Sequence, residues 1–302
     1  MAYTSELLSL LTRVRPYIRE HELIPEPNSA LKADAKDYMD FVNIDGERSR
    51  ISLGSALEKD SYPTPTPKMR EGYNPNSPFQ YWWSGYSDYL RLQQMVDRYY
   101  QGKRPATYFD FGCSSGRVLR HFSVQTDLQV SACDIDLLNV RWLQRHLPKR
   151  IRVFQNSSLP HLPLEDNSID VFSAYSVFSH IDVWEEAWLA EVRRILRPGG
   201  LAYITIQSQH TWHRVAEREK SLQRLLGFEV SPEMKLTAED FQKPMPHERM
   251  VFFLKKFELY VNTFMHTDYV EREWSRYLDV CTIFMAPKGR FQEGVVLRKP
   301  HG

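Results

Sequence analysis

A chain of 302 residues with 42% hydrophobic side chains carries enough apolar material for one large cored domain or two small ones. Its 39 Lys and Arg against 38 Asp and Glu leave a formal charge of +1, which removes the bulk electrostatic case for a nucleic-acid or membrane-surface partner. Three cysteines, Cys113, Cys133 and Cys281, are odd in number and do not have metal-ligand spacing, so free thiols in a reducing cytoplasm are expected.

In chain order, the first signal is an amphipathic helix carrying Leu7, Leu8, Leu10, Leu11, Val14 and Ile18. Arg13, Arg15 and Arg19 interrupt it, so neither a signal peptide nor a membrane span is expected. A polar stretch punctuated by "PEPNS" and "YPTPTPK" follows, a connector or the base of a lid. Next comes an aromatic turn, "YNPNSPFQYWWSGY", and a helix with Tyr89, Leu92, Met95, Val96 and Tyr99 on one face. From Thr107 onward, short β-rich runs alternate with helical ones: "TYFDFG" and "RVLRHF", "QVSACDI" and "LLNVRWLQRHL", "IRVFQ", "SIDVFSAYS" and "WEEAWLAEVRRIL", then "GLAYITIQ". This alternation predicts an α/β fold built on a doubly wound, mostly parallel sheet, with ligands at the carboxyl ends of its strands. The stretch 208–250 is polar, helical in pattern and without a strand signal, and is expected to be a cap insert. The chain closes with a helix around Trp274 and the runs "DVCTIFMA" and "EGVVLRK", an expected antiparallel edge pair. The expected division is therefore a helical and aromatic extension and lid over 1–104 and a ligand-binding domain over 105–302.

The chemistry is concentrated after the first parallel strand. "FDFGCSSG" lacks the middle glycine of a dinucleotide fingerprint, and Asp110 precedes the turn. An acid there suits a cationic amino-acid ligand better than a diphosphate. Asp134 follows Gly116 by 18 residues and ends the second strand, where a carboxylate accepts hydrogen bonds from both hydroxyls of a ribose. Asp136 is placed to cap the next helix. A ligand with a ribose and an amino acid but no phosphate satisfies both features.

On these motifs, residues 107–206 resemble a class I S-adenosylmethionine-dependent methyltransferase. The motifs are "FDFGCSSGRVLRHF", "VSACDID", "LPLEDNSIDVFSAYSVFSHI" and "WLAEVRRILRPGGLAYITI", and the tail "YVEREWSRYLDVCTIFMAPKGRFQEGVVLRKP" is similar to the last helix and strand pair of that family. The resemblance implies a Rossmann-like, seven-stranded sheet with an antiparallel C-terminal edge strand. It also implies S-adenosylmethionine as cofactor, held by Asp110, Gly112, Cys113, Ser114, Gly116, Asp134, Ile135, Asn156, Ser157, Tyr175 and Ser176. Asn156 stands where similar enzymes carry an Asp facing the adenine amino group, and its amide oxygen can accept in the same way.

The loop after the fourth strand, Ala174 to His180, lacks the Asn-Pro-Pro-Tyr signature of methylation at exocyclic or amide nitrogen. His180 is the candidate general base, with a loop-shaping histidine as the plainer reading. Tyr73, Tyr81, Trp82 and Trp83, in a cluster with Phe79 and Tyr86, are candidates for the acceptor wall, with packing as the alternative. Arg70 is a candidate partner for the cofactor carboxylate. The pairs His210/His213 and His247/His266 match no metal site, and none is expected. The expected reaction is in-line methyl transfer to a hydroxyl, carboxyl or amine of a small molecule; a peptide or protein side chain and a non-catalytic binding protein are the alternatives.

Overall fold

The computed structural model describes residues 25–29, 31, 41–44, 47–70, 72–215, 217, 228–229, 236–254, 257–285 and 291–301. The helix expected near the N-terminus lies outside them. The chain divides into two compact units, one of residues 1–158 with 169–171, the other of 159–168 with 172–302.

The first unit holds the antiparallel pair β1 (Phe41–Ile44) and β2 (Glu47–Arg50), then α1 (Leu53–Lys59), α2 (Pro78–Tyr99), β3 (Thr107–Phe111), α3 (Leu119–Gln125), β4 (Gln129–Asp134), α4 (Leu137–His146) and β5 (Arg152–Gln155). β6 (Ile169–Ala174) begins in the first unit and ends in the second. The second unit continues with α5 (Glu185–Ile195), β7 (Leu196–Ile206), α6 (Gln209–Val215), β8 (Phe228–Glu229), β9 (Arg249–Leu254), β10 (Phe257–Met265), α7 (Thr267–Trp274), β11 (Asp279–Phe284) and β12 (Glu293–Arg298). Seven strands form a mostly parallel sheet in the order β11-β12-β7-β6-β3-β4-β5. β3 to β4 and β4 to β5 are parallel, whereas β12 runs antiparallel to both β7 and β11. Every residue of β3 and β6 is buried, as strands covered on both faces require, and neither strictly alternates apolar with polar residues; the polar ones are Thr107 and Asp110 in β3 and Asp170 and Ser173 in β6.

In the first unit, α2 starts earlier than the sequence pattern suggests and takes most of the aromatic segment into the helix. Ser77 caps it by accepting from the Gln80 amide at 3.2 Å, and Pro78 fills the first helical position, where a missing N–H costs nothing. Phe79, Trp82, Tyr86 and Tyr89 then recur at helical spacing and stack in sequence, with Trp82 and Tyr86 at 5.1 Å and Tyr86 and Tyr89 at 5.8 Å between ring centroids. Gly85 sits on this helix where a Cβ would lie 2.0 Å from the Arg117 carbonyl oxygen, so α2 approaches the chain just after Gly116 more closely than any other residue would permit.

Beneath the aromatic face lies a buried polar cluster. Arg120 clamps Asp60 with two hydrogen bonds, Nε to Oδ2 at 2.8 Å and Nη2 to Oδ1 at 2.9 Å, and Trp82 Nε1 donates to Asp60 Oδ2 at 2.8 Å. His121 is fully buried beside them, with Nε2 at 3.0 Å from the Trp82 carbonyl oxygen. Burial, helped by the Arg120 and Arg117 charges and opposed by Asp60, pushes the His121 imidazole down from 6.5 to about 3. The histidine therefore stays neutral in the folded chain at a pH where the unfolded chain protonates it. The unfolded state binds the extra proton, so stability falls as pH drops from about 6.5 towards 3. The loss at pH 5 should be about 2 kcal/mol relative to pH 7. Urea denaturation at the two pH values measures it, and His121→Phe should shrink the difference; equal loss in both proteins would refute the assignment.

The second unit departs from expectation in the 208–250 stretch, which the sequence pattern marks as helical and strand-free. It contains α6, the short β8, a 3-10 turn over Ala238–Gln242 and the start of β9, and β8, β9 and β10 make a separate antiparallel sheet. Met250 and Phe252 join Trp212, Val215, Phe241 and Phe264 in a small buried cluster. The alternation in "RMVFFL" is short and runs into Lys255 and Lys256, so it becomes a strand signal only with β10 as partner, in the register Met250 to Phe264 and Phe252 to Asn262.

Candidate functional site

β3 delivers its last residue, Phe111, into a turn whose backbone is set by three left-handed residues: Gly112 at φ 69°, Ser114 at φ 47° and Gly116 at φ 86°. At Gly116 a Cβ would also lie 2.5 Å from a Leu143 methyl on α4, so the turn is glycine-dependent for both conformation and packing. The amides of Gly112 and Cys113 both donate to the Cys133 carbonyl, at 2.9 and 3.0 Å, tying the turn to the end of β4. Ser114, left-handed without being a glycine, gives its amide to Asp134 Oδ2 at 2.6 Å.

Asp134 is thereby the hub of the first unit's site. Its other oxygen accepts from the Asp136 amide at 2.8 Å, and its carbonyl accepts from the Asn156 amide at 3.2 Å. Burial raises its pKa, with the Asp136 and Ser114 amides pulling the other way. The Asn139 side chain bonds the carboxylate as well, so of its roughly four acceptor sites about one remains beyond these donors. Asp136 caps α4, accepting from the Leu138 amide at 2.8 Å, as the sequence pattern predicts. Ile135 presents its carbonyl to Gln155 Nε2 at 3.0 Å. Asn156 donates through Nδ2 to the Ser157 carbonyl at 2.8 Å, while its Oδ1 is buried with no hydrogen-bond partner among the described residues. A buried amide oxygen of that kind is an acceptor in want of an N–H donor. Asp110 is buried at the end of β3. Cys113 is buried as well, and burial first, then Asp134 and Asp110, raise its thiol well above the ordinary range, which makes it a packing residue and not a nucleophile.

The aromatic candidates separate in the structure. Tyr81 is buried and its hydroxyl lies 2.9 Å from Ser115 Oγ, which donates to the Met69 carbonyl at 2.8 Å; it braces the glycine turn from behind. Trp82 is wholly buried on Asp60 and belongs to the core. Trp83 is partly exposed and stacks on Phe79 at 6.1 Å. Tyr73, also partly exposed, meets Tyr81 edge-on at 5.5 Å and lies under the Arg117 guanidinium. Arg70 is buried, with its guanidinium on Glu26 at 2.6 Å and on the carbonyls of Pro65 and Pro75, both at 2.7 Å. It serves the backbone of the connector instead of facing outward.

In the second unit, the loop after β6 carries Tyr175, packed 5.3 Å from Tyr203, and Ser176 at φ 59°. The Ser176 amide donates to Thr205 Oγ1 at 2.7 Å. His180 ends a short 3-10 turn over Phe178–His180, is exposed, and has Nδ1 2.7 Å from the Val261 carbonyl oxygen on β10. A carbonyl can only accept, so Nδ1 carries the proton and the ring lone pair sits on Nε2. Thr263 Oγ1 holds the next residue by donating to the Ile181 carbonyl at 2.8 Å. Sequence reasoning missed Thr205 and Gln292, which bond this loop: both stand inside the quoted motifs, but nothing local marks either as a partner of the loop, and Gln292 is 116 residues from Ser176.

Among the described residues, no group of three or more His, Cys, Asp and Glu is arranged to hold a metal, and no helix is long and apolar enough to cross a membrane.

A search of curated proteins returned no match. The family model described as "Methyltransferase domain" matches residues 109–204, the span from β3 to β7. Among solved structures, a protein from Pyrococcus horikoshii is similar with a TM-score of 0.51 and 16% identity, over 77% of this chain and 95% of that one. An S-adenosylmethionine-dependent methyltransferase from Clostridium acetobutylicum is similar with a TM-score of 0.47 and 12% identity, over 72% of this chain and 92% of that one. The first of these likenesses concerns the fold alone. The strand order, with its single reversed strand, and the family match from β3 through the glycine turn to β7 agree: the chain carries an S-adenosylmethionine-dependent methyltransferase domain over residues 109–204.

Proposed function

We propose that the chain transfers a methyl group to a hydroxyl, carboxyl or amine of a small molecule, with the cofactor held by the turn 112–116, Asp134 and Asn156. The observation that carries the cofactor assignment is the buried, unpartnered Oδ1 of Asn156, chemically suited to the adenine amino group, beside a carboxylate with acceptor capacity left for a ribose hydroxyl. Asp110, Cys113, Ile135 and Ser157 are the further proposed contacts in the first unit, and Tyr175 and Ser176 are those in the second; Tyr73 and Trp83 are the aromatic candidates that keep exposed surface for an acceptor. When bound, S-adenosylmethionine supplies an activated methyl on a sulfonium. The protein's part is to orient the acceptor, exclude water and, for a hydroxyl, take a proton at His180 Nε2. An acceptor that arrives as a carboxylate or neutral amine needs no such base.

Asp134→Ala should weaken S-adenosylhomocysteine binding by roughly tenfold to a hundredfold, the equivalent of about 1.5–3 kcal/mol for charge-assisted hydrogen bonds. Isothermal titration reads this directly, and wild-type affinity in a folded variant would remove Asp134 from the site. The acceptor class is tested by incubating the enzyme with methyl-labelled cofactor and separate small-molecule and protein fractions of a cell extract. Label in the small-molecule fraction is the expected result. Label confined to protein would replace the small-molecule reading with methylation of a side chain.

A further inference from the structure

We propose that Gln292 is a positioning residue for methyl transfer, fixing the loop Tyr175–His180 from the far side of the sequence. The inference rests on the reading that this loop carries a cofactor contact and the base, and it adds what holds the loop in place.

Ser176 is the reason a device is needed. A non-glycine residue at φ 59° is strained, and such a conformation persists only where its surroundings over-determine it. Here the surroundings are one closed set of hydrogen bonds. The Ser176 amide donates to Thr205 Oγ1 at 2.7 Å, and the Thr205 hydroxyl spends its proton on Gln292 Oε1, also at 2.7 Å. The Gln292 amide nitrogen donates back to Ser176 Oγ at 2.9 Å and to Ser179 Oγ at 3.2 Å. Every donor and acceptor direction is consistent: Gln292 uses its oxygen once and both its N–H bonds, and threonine both gives and receives. With Ser176 Oγ and Ser179 Oγ accepting from Gln292, their own protons are directed away from it, so the network orients the two hydroxyls as donors.

The supports of Gln292 are rigid. It directly precedes β12, whose register on β7 sets Glu293 against Ile206 and Gly294 against Thr205. Glu293 is itself buried and accepts from the Ser208 amide at 3.1 Å and Thr211 Oγ1 at 2.8 Å, so the residue after Gln292 is anchored as well. His180, one residue beyond Ser179, is held on its other side by Val261. A side chain reaching across 116 residues to clamp a strained loop on both of its serines has a positioning geometry.

The test uses Gln292→Met, which keeps length and volume but has no hydrogen bonds to offer. Hydrogen exchange of the peptide covering 175–181 should quicken by about fivefold to tenfold, the loss of one hydrogen bond's worth of protection. Exchange in β11 and β12 should stay as in wild type, and the His180 ring signal, alone among ten histidines, should shift in the NMR spectrum. Thr205→Val should give the same exchange effect, and the double variant little more than either single one, because both act through one network. Unchanged exchange over 175–181 would overturn the proposal. Faster exchange spread over β11 and β12 would also overturn it, since that is hairpin stability alone. These readouts need neither an acceptor nor a working base. A loop that loosens while His180→Ala keeps full turnover would therefore retain Gln292 as a positioning residue and remove only the base.

Discussion

His180→Ala should lower turnover of a hydroxyl acceptor by about 10²–10⁴-fold while leaving S-adenosylhomocysteine affinity near that of the wild type, the range for loss of a positioned general base. The expectation follows from the ring's attachment. Nδ1 donates to the Val261 carbonyl on β10 at 2.7 Å, which sets the tautomer and leaves the proton-accepting lone pair on Nε2. The same hydrogen bond is what a loop-shaping histidine would make, so the control has to separate the two roles. His180→Asn keeps a donor that can reach the Val261 carbonyl but cannot accept the acceptor's proton. Turnover should remain low in His180→Asn, and the acid limb of the wild-type pH profile should be missing from both variants. If asparagine restores turnover, the residue shapes the loop and the acceptor needs no base.

The second large effect is on stability. Arg120→Met should destabilise the chain by about 3–5 kcal/mol, because it strands the buried Asp60 carboxylate without its cation. Both groups are almost wholly buried, and Arg120 makes two further hydrogen bonds, to the Tyr62 carbonyl at 2.9 Å and the Pro63 carbonyl at 3.2 Å. The carboxylate keeps its Trp82 donor and stays without a neutralising charge. Adding Asp60→Leu to Arg120→Met should recover much of the loss, since replacing both members of a buried pair with apolar groups removes the desolvation penalty together with the attraction. Urea denaturation of the two single variants and the double variant measures the coupling. A double variant as unstable as the sum of the singles would mean that the two side chains act independently.

Legibility in the sequence follows the range of the interactions. The turn 112–116 and the Asp136 cap are local: each is a residue type required by the backbone within a few positions, so Gly112, Gly116 and Asp136 are legible from the sequence alone, whereas Asp134 is legible by its place at the end of β4 and not by its partner Ser114, 20 residues away. The aromatic segment is legible as a cluster but not in its use. Whether Trp82 faces an acceptor or Asp60 depends on a partner 22 residues away, and the Ser77 cap that turns the segment into a helix leaves the apolar periodicity of Phe79 to Tyr89 free to face inward. Arg70 escapes sequence reasoning for the same cause, since the carbonyls that bury it are supplied by the fold of the connector.

The sequence by itself determined the alternation of strand and helix from Thr107 and the glycine turn after β3, because parallel-sheet strands and glycine turns impose residue choices at short range. Only the tertiary structure decided that β9 and β10 pair into a second sheet, that His121 is buried neutral, and that Thr205 and Gln292 hold Ser176. Those outcomes rest on hydrogen bonds and burial between residues far apart along the chain, and an ordinary Thr, Gln or His carries no local mark of the partner it will meet.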